Sequence, residues 1–218
     1  MRAVLSTPRA FATPDMRTPA AFASLAAIIS LFPLLVRRSR FAFMPGPGDV
    51  SGCGALPLAP LPACLTRPLR TLLPTSVWLS NPGRIRWCAQ DVVLFRADVG
   101  GRLRRACVRP PTDAPAPGPG EPPLCGGQAM VACVAATLLQ QGHLSPLPLP
   151  QHPVFWQADH TLWLHPQPHA LIIADRGAAH AVVGFEDVAC CSPGCFGEDG
   201  AFAIYRPNER IFELSVVN

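Results

Sequence analysis

The sequence predicts an α+β domain, in which one buried helix packs on an antiparallel sheet of hairpin strands. Three observations lead there. A single convincing helical window runs from Gln128 to Gln141. Five short β-prone runs follow it, and the turns between them are too brief to hold crossover helices. Composition agrees, because 49% hydrophobic against 15% charged residues excludes a disordered polyelectrolyte.

Taken in chain order, the first landmark is Pro19–Val36, "PAAFASLAAIISLFPLLV", uncharged and followed by "RRSR". Eighteen residues at about 1.5 Å each barely cross a bilayer core. Three readings are open: a membrane anchor interrupted by Pro33, a mitochondrial-type leader, or a buried core helix. The leader reading rests on Arg2, Arg9, Arg17, Arg37, Arg38 and Arg40 against the single acid Asp15. Membrane association leads the three, so residues 1–40 are expected to act as an apolar, arginine-flanked anchor or leader. A membrane-associated or intracellular location follows as the expectation.

Met44–Pro74 carries seven prolines and little periodicity, and residues 41–75 read as an extended connector. A domain is expected over 76–218. It opens with "SVWLS", "RIRWC" and "DVVLFRADV", three strand-like runs separated by "NPG" and "AQ". The basic stretch Gly101–Arg109 has no stacking aromatics beside it, so it reads as a solvated strand or loop, and nucleic-acid binding is not expected. Residues 110–123 pack seven prolines into fourteen positions and must form a loop, since proline cannot donate to a ladder.

The helix over Gln128–Gln141 is alanine-rich, apolar on most sides and stopped by Gly142. The strand-like segments after it are "TLWLH", "ALIIAD", "AHAVVGFE", "AFAIY" and "IFELSVV". A parallel nucleotide-binding sheet is not expected, because no helices alternate with these strands and no glycine-rich phosphate loop appears.

All eighteen basic residues are arginine, and alanine, proline and glycine are abundant, as in GC-biased coding. Nine scattered cysteines form no C-x-x-C pair and cannot all pair within one chain, which favours a reducing compartment.

Chemistry is concentrated in a few places. Cys125 precedes Gly126, Gly127 and the helix start, where unpaired N–H groups favour a thiolate. A thiol enzyme also needs an imidazole base held by a polar partner. His180 opens "HAVVGFED", with Asp187 as an orienting partner and Gln128 as an oxyanion donor. The plainer reading, a loop and cap followed by a buried strand, carries more weight than catalysis. "CCSPGC" offers Cys191 and Cys195 to zinc, with His165 and His169 as further ligands. A tight turn with incidental cysteines is the simpler account, so neither metal nor cofactor is expected.

"CGGQAMVACVAATLL" followed by "HAVVGFED" resembles the papain-like cysteine peptidase superfamily. The resemblance implies Cys125 as nucleophile and His180 as base. "GGQAMVACVAATLL" and "ALIIADRGAAHAVV" also resemble the deubiquitinase domain of herpesvirus large tegument proteins. In that alignment Ala129 and Gly177 stand where cysteine and histidine belong, and Asp175 alone is kept. The expectation is thus a viral accessory, tegument-type protein of host cytoplasm or virion. It would bind a protein partner, ubiquitin-like or another viral or host protein, through a possibly inactive domain. An active thiol peptidase or amidase and a membrane-anchored interaction protein are the alternatives.

Overall fold

The computed structural model describes residues 3–5, 19–49, 54–108, 126–175 and 177–217. Cys125 and the proline loop 110–123 lie outside the described residues. Ten strands and six helices are described, and the fold is α+β.

The centre is a five-stranded mixed sheet in the order β4-β5-β6-β8-β7. Strand β4 is Gly83–Trp87, β5 Gln90–Phe95, β6 Ala170–Ile173, β7 Ala181–Phe185 and β8 Val188–Ser192. Both outer pairs, β4–β5 and β7–β8, are antiparallel hairpins. Cys88 and Ala89 close the first with φ of 50° and 60°, the left-handed pair that suits a two-residue turn. The inner pairs β5–β6 and β6–β8 are parallel.

A parallel pair needs a crossover, and here it is supplied by α4 (Val99–Ala106) and α5 (Gly126–Gln141) between β5 and β6. Strand β6 accordingly has all four residues buried, as parallel strands covered on both faces do. On one face, Val131, Val134, Ala135 and Leu138 of α5 meet Leu171, Ile173, Val183 and Cys190. On the other, Val92, Ile172 and Cys191 meet Ala203, Tyr205 and Phe212 of a second sheet. That sheet has the order β1-β9-β10, with β1 Ala3–Leu5, β9 Ala201–Arg206 and β10 Ile211–Val216.

The expected antiparallel sheet of hairpins is therefore corrected: its core is parallel, and a crossover exists. A proline-rich loop of fourteen residues separates α5 from α4 in the sequence and hid the alternation of strand and helix. "TLWLH" is not a strand; residues Trp156–Leu162 form a 3-10 turn. "GRLRRACVR" contributes to α4, not to a strand. The helix expected over Gln128–Gln141 is α5, two residues longer at its start, and Gly142 ends it at φ 65°.

Residues 19–80 build a further layer. Helix α1 is Pro19–Ser30, α2 Pro33–Arg38 and α3 Ala63–Leu72; the short strands β2 (Ala42–Phe43) and β3 (Val77–Trp78) pair in parallel. Ala26 and Ile29 of α1 pack on Leu69 and Leu73 of α3, with Phe43 and Trp78 beside them. Pro33 splits the apolar run into two short helices. No helix among the described residues is long and apolar enough to cross a membrane. The span read as a connector holds α3 and sends Leu56 and Leu58 into the main core.

Candidate functional site

The carboxyl ends of the parallel strands converge on one cleft, the position where open α/β sheets place their ligands. Strand β5 runs out through Ala97 and Asp98 into α4, β6 through Ala174 into Asp175, and β8 ends at Ser192. Asp98, Asp175 and Ser192, with Gly100, Arg104 and Met130, line a cavity of about 80 Å³.

Asp175 is 4% exposed. Its Oδ2 accepts the Gly100 N–H at 3.2 Å, and its Oδ1 accepts the Gly177 N–H at 2.9 Å. Burial pushes its carboxyl above the usual range, and backbone donors from Gly177, Gly100 and Val99 pull the other way. The carboxylate thus fastens the start of α4 to the turn after β6, occupying the amide groups an anion would need. Asp98 faces Arg105 at 3.7 Å.

Ser192 is fully buried, and its hydroxyl has no hydrogen-bond partner among the described residues. A buried unpaired hydroxyl carries a desolvation cost. Ser192→Ala is expected to raise unfolding stability by about 1 kcal/mol, read as a higher urea midpoint at unchanged slope. A lower midpoint would show that the hydroxyl is satisfied.

The residues named from sequence are placed as follows. Helix α5 does abut the sheet at its leading end: a Cβ on Gly127 would collide with the Ala179 side chain, one residue before His180. His180 Nε2 lies 3.2 Å from the Phe202 carbonyl oxygen, a bond to the neighbouring sheet. Asp187 sits exposed in the turn after β7, a full strand away from His180, or about 17 Å at 3.3 Å per residue. Histidine and aspartate therefore do not meet. Gln128 is exposed in the first turn of α5.

His169 Nδ1 accepts the Asp91 N–H at 3.1 Å at the amino end of β6, and Cys191 is buried against the second sheet. Among the described residues no group of three or more His, Cys, Asp or Glu side chains is placed to hold a metal ion. Burial drives the Cys190 and Cys191 thiols up to about 12 and raises Cys133, so these sulfurs stay protonated.

Sequence reasoning missed a polar network around residues 143–163. His143 Nε2 lies 3.2 Å from Asp159 Oδ1, and Trp163 Nε1 donates to Asp159 Oδ2 at 2.9 Å. Ser145 Oγ and the buried His152 Nδ1 share a bond of 2.7 Å. The serine bonds a histidine that has no carboxylate partner in this network, and the carboxylate bonds the other histidine. The group braces a loop and is not a relay.

With this geometry established, the relatives explain what kind of molecule carries it. A family model for the DNA polymerase alpha/epsilon B-subunit matches residues 5–182. The DNA polymerase epsilon B-subunit of Arabidopsis thaliana is 35% identical over 196 residues, covering 90% of this chain and 35% of that protein. DNA polymerase epsilon subunit 2 of Mus musculus is 37% identical over 193 residues, covering 88% and 34%. The Saccharomyces cerevisiae B-subunit is 29% identical over 205 residues, covering 80% and 30%. The chain thus spans about a third of the length of these curated relatives. A solved structure, TT1561 of Thermus thermophilus, is similar at a TM-score of 0.41 and 15% identity over 92% of this chain and 80% of its own, too loose a likeness to carry an argument.

These relatives overturn the papain-like resemblance, which rested on short "CGG" and "HAVVG" strings that any glycine-led helix and buried strand can share. The viral tegument role, the pseudo-peptidase role and the thiol peptidase alternative fall with it. So do the locations attached to them, at a membrane or in virion or host cytoplasm, because the relatives are polymerase subunits of plant, animal and yeast. GC-biased coding was a statement about a genome, and it fits this setting equally. Across most of its length, the chain belongs to the DNA polymerase alpha/epsilon B-subunit family.

Proposed function

We propose that this chain works as accessory-subunit material of an epsilon-type DNA polymerase, acting by binding protein rather than by chemistry of its own. The observation that carries the reading is the family match over residues 5–182. The site geometry supports it. The acid of the cleft is engaged by backbone amides, and the described buried thiols are held protonated. His180 is bonded to a backbone carbonyl and stands apart from Asp187. The partner is the catalytic subunit of the polymerase, and the place of action is where nuclear DNA is copied.

Co-expression tests this directly. The full chain and the catalytic subunit of DNA polymerase epsilon from the same genome are expected to co-elute at one-to-one stoichiometry in size-exclusion chromatography. Separate elution of two well-folded proteins would overturn the reading.

A further inference from the structure

The first helical layer is open on one side. Leu25 and Ile28 of α1, Leu31 and Phe32 of the link, and Leu34 and Leu35 of α2 are between 36% and 73% exposed. A helix that is apolar all round is normally buried all round. Here α3 covers only the face bearing Ala26 and Ile29. A run of six large apolar side chains far exceeds the scattered exposure usual on a monomer and marks a contact surface.

The neighbouring strands are open too. Parallel sheets occur with both faces and their edges covered by further strands and crossover helices. Strand β2 has β3 on one edge and no strand on the other among the described residues. Phe43 and Trp78 point into the layer's own core, while Ala42 and Val77, on the opposite face, are exposed. The layer has the form of a parallel α/β unit with one side and one edge uncovered. Charge narrows the occupant: residues 19–48 carry Arg37, Arg38 and Arg40 and no acid, so the covering polypeptide is apolar with an acidic rim.

We propose that the α1–α2 ridge and the free edge of β2 are the seam on which the portion of a B-subunit polypeptide outside the matched segment packs, adding a parallel strand and an apolar layer. The relatives are about three times the matched length, so such polypeptide exists in every one of them described above. The inference rests on family membership and not on the catalytic partner proposed above.

The test is amide hydrogen exchange over residues 25–35, first in the isolated full chain. It is then repeated in a chimaera, the Arabidopsis relative with its matched 196 residues replaced by this chain. Exchange is expected to slow about tenfold or more in the chimaera. The double variant Ile28→Asp, Leu34→Asp is expected to abolish that protection while leaving the melting temperature of the isolated chain unchanged, since both side chains face solvent there. Equal exchange in chain and folded chimaera overturns the seam. So does protection in the isolated chain with a dimeric mass by light scattering, or co-flotation of the chain with phosphatidylserine–phosphatidylcholine vesicles that the double variant loses. Should the chimaera not fold, the same measurement on the native Arabidopsis protein decides, because an exposed counterpart of residues 25–35 there sinks the proposal. Capture of the polymerase catalytic chain is scored on the same samples: capture with an unprotected ridge defeats the seam alone, and a protected ridge without capture defeats the accessory-subunit reading alone.

Discussion

Asn81→Ala is expected to lower the unfolding free energy by about 3–5 kcal/mol, a large fraction of the stability of an ordinary domain. Asn81 is fully buried. Its Nδ2 donates to the Arg96 carbonyl oxygen at 2.6 Å, and its Oδ1 accepts the Arg96 N–H at 3.1 Å. The side chain thereby acts as one more residue of strand, closing the end of β5. Its own backbone exchanges two bonds with Leu58, N–H to carbonyl at 2.9 Å and 2.7 Å. One residue therefore ties the Leu58 segment to the strand that leads into Asp98 and the cleft. Alanine leaves a buried N–H and a buried carbonyl unpaired, at about 1–3 kcal/mol each, and adds a small cavity. Asn81→Asp is the sharper control. It is nearly isosteric, yet it sets a carboxylate oxygen against the Arg96 carbonyl where a donor is required. Both variants are expected to move the urea midpoint down with little change in slope. A midpoint within the error of the parent would show that the bracket does not hold β5.

The sequence announced Asn81 only as part of "NPG", a turn between strands, and the turn is there. Turn propensity reports backbone geometry and is silent on whether a side chain faces water or a neighbouring strand. The same limit explains the rest. Helix α5 and strands β4 to β10 were legible because their apolar spacing is local, and Gly142 was legible because a left-handed end needs glycine. Parallel pairing of β5, β6 and β8 was not, because it is fixed by which strands meet after a loop of fourteen proline-rich residues. The cleft was missed for the same reason: Asp98, Asp175 and Ser192 stand far apart in the chain and share only the end of a sheet. Cys125 and His180 drew attention through flanking glycines and a short apolar string, features that any helix start and any buried strand possess. The exposed ridge was visible as an apolar run, but a run of eighteen residues does not say whether lipid or protein covers it.

Acid should weaken this fold in a window set by one histidine. His152 is 4% exposed, and its ring shares a bond with the Ser145 hydroxyl. Burial, assisted by the Arg102 charge, lowers its pKa from 6.5 to about 4, with Asp98 opposing weakly. The unfolded chain therefore takes up a proton at this site at higher pH than the folded one. Stability is complete above about pH 6.5, falls as pH drops from there towards 4, and levels off once both states are protonated. With partial solvent access discounted, the loss is about 2 kcal/mol across the window. Asp175 works with opposite sign. Its raised folded pKa means that the native state binds a proton first, so its contribution grows as pH falls through the folded value. The two are separable by variant. His152→Gln keeps an acceptor for Ser145 and cannot titrate, so it should flatten the pH dependence of the urea midpoint between 4 and 6.5 by about the stated amount. A slope identical to that of the parent would mean that His152 is already protonated within the fold. The Ser145 hydroxyl would then have to accept from the ring, and the loop over residues 143–163 would be held by an ionic contact in place of a neutral one.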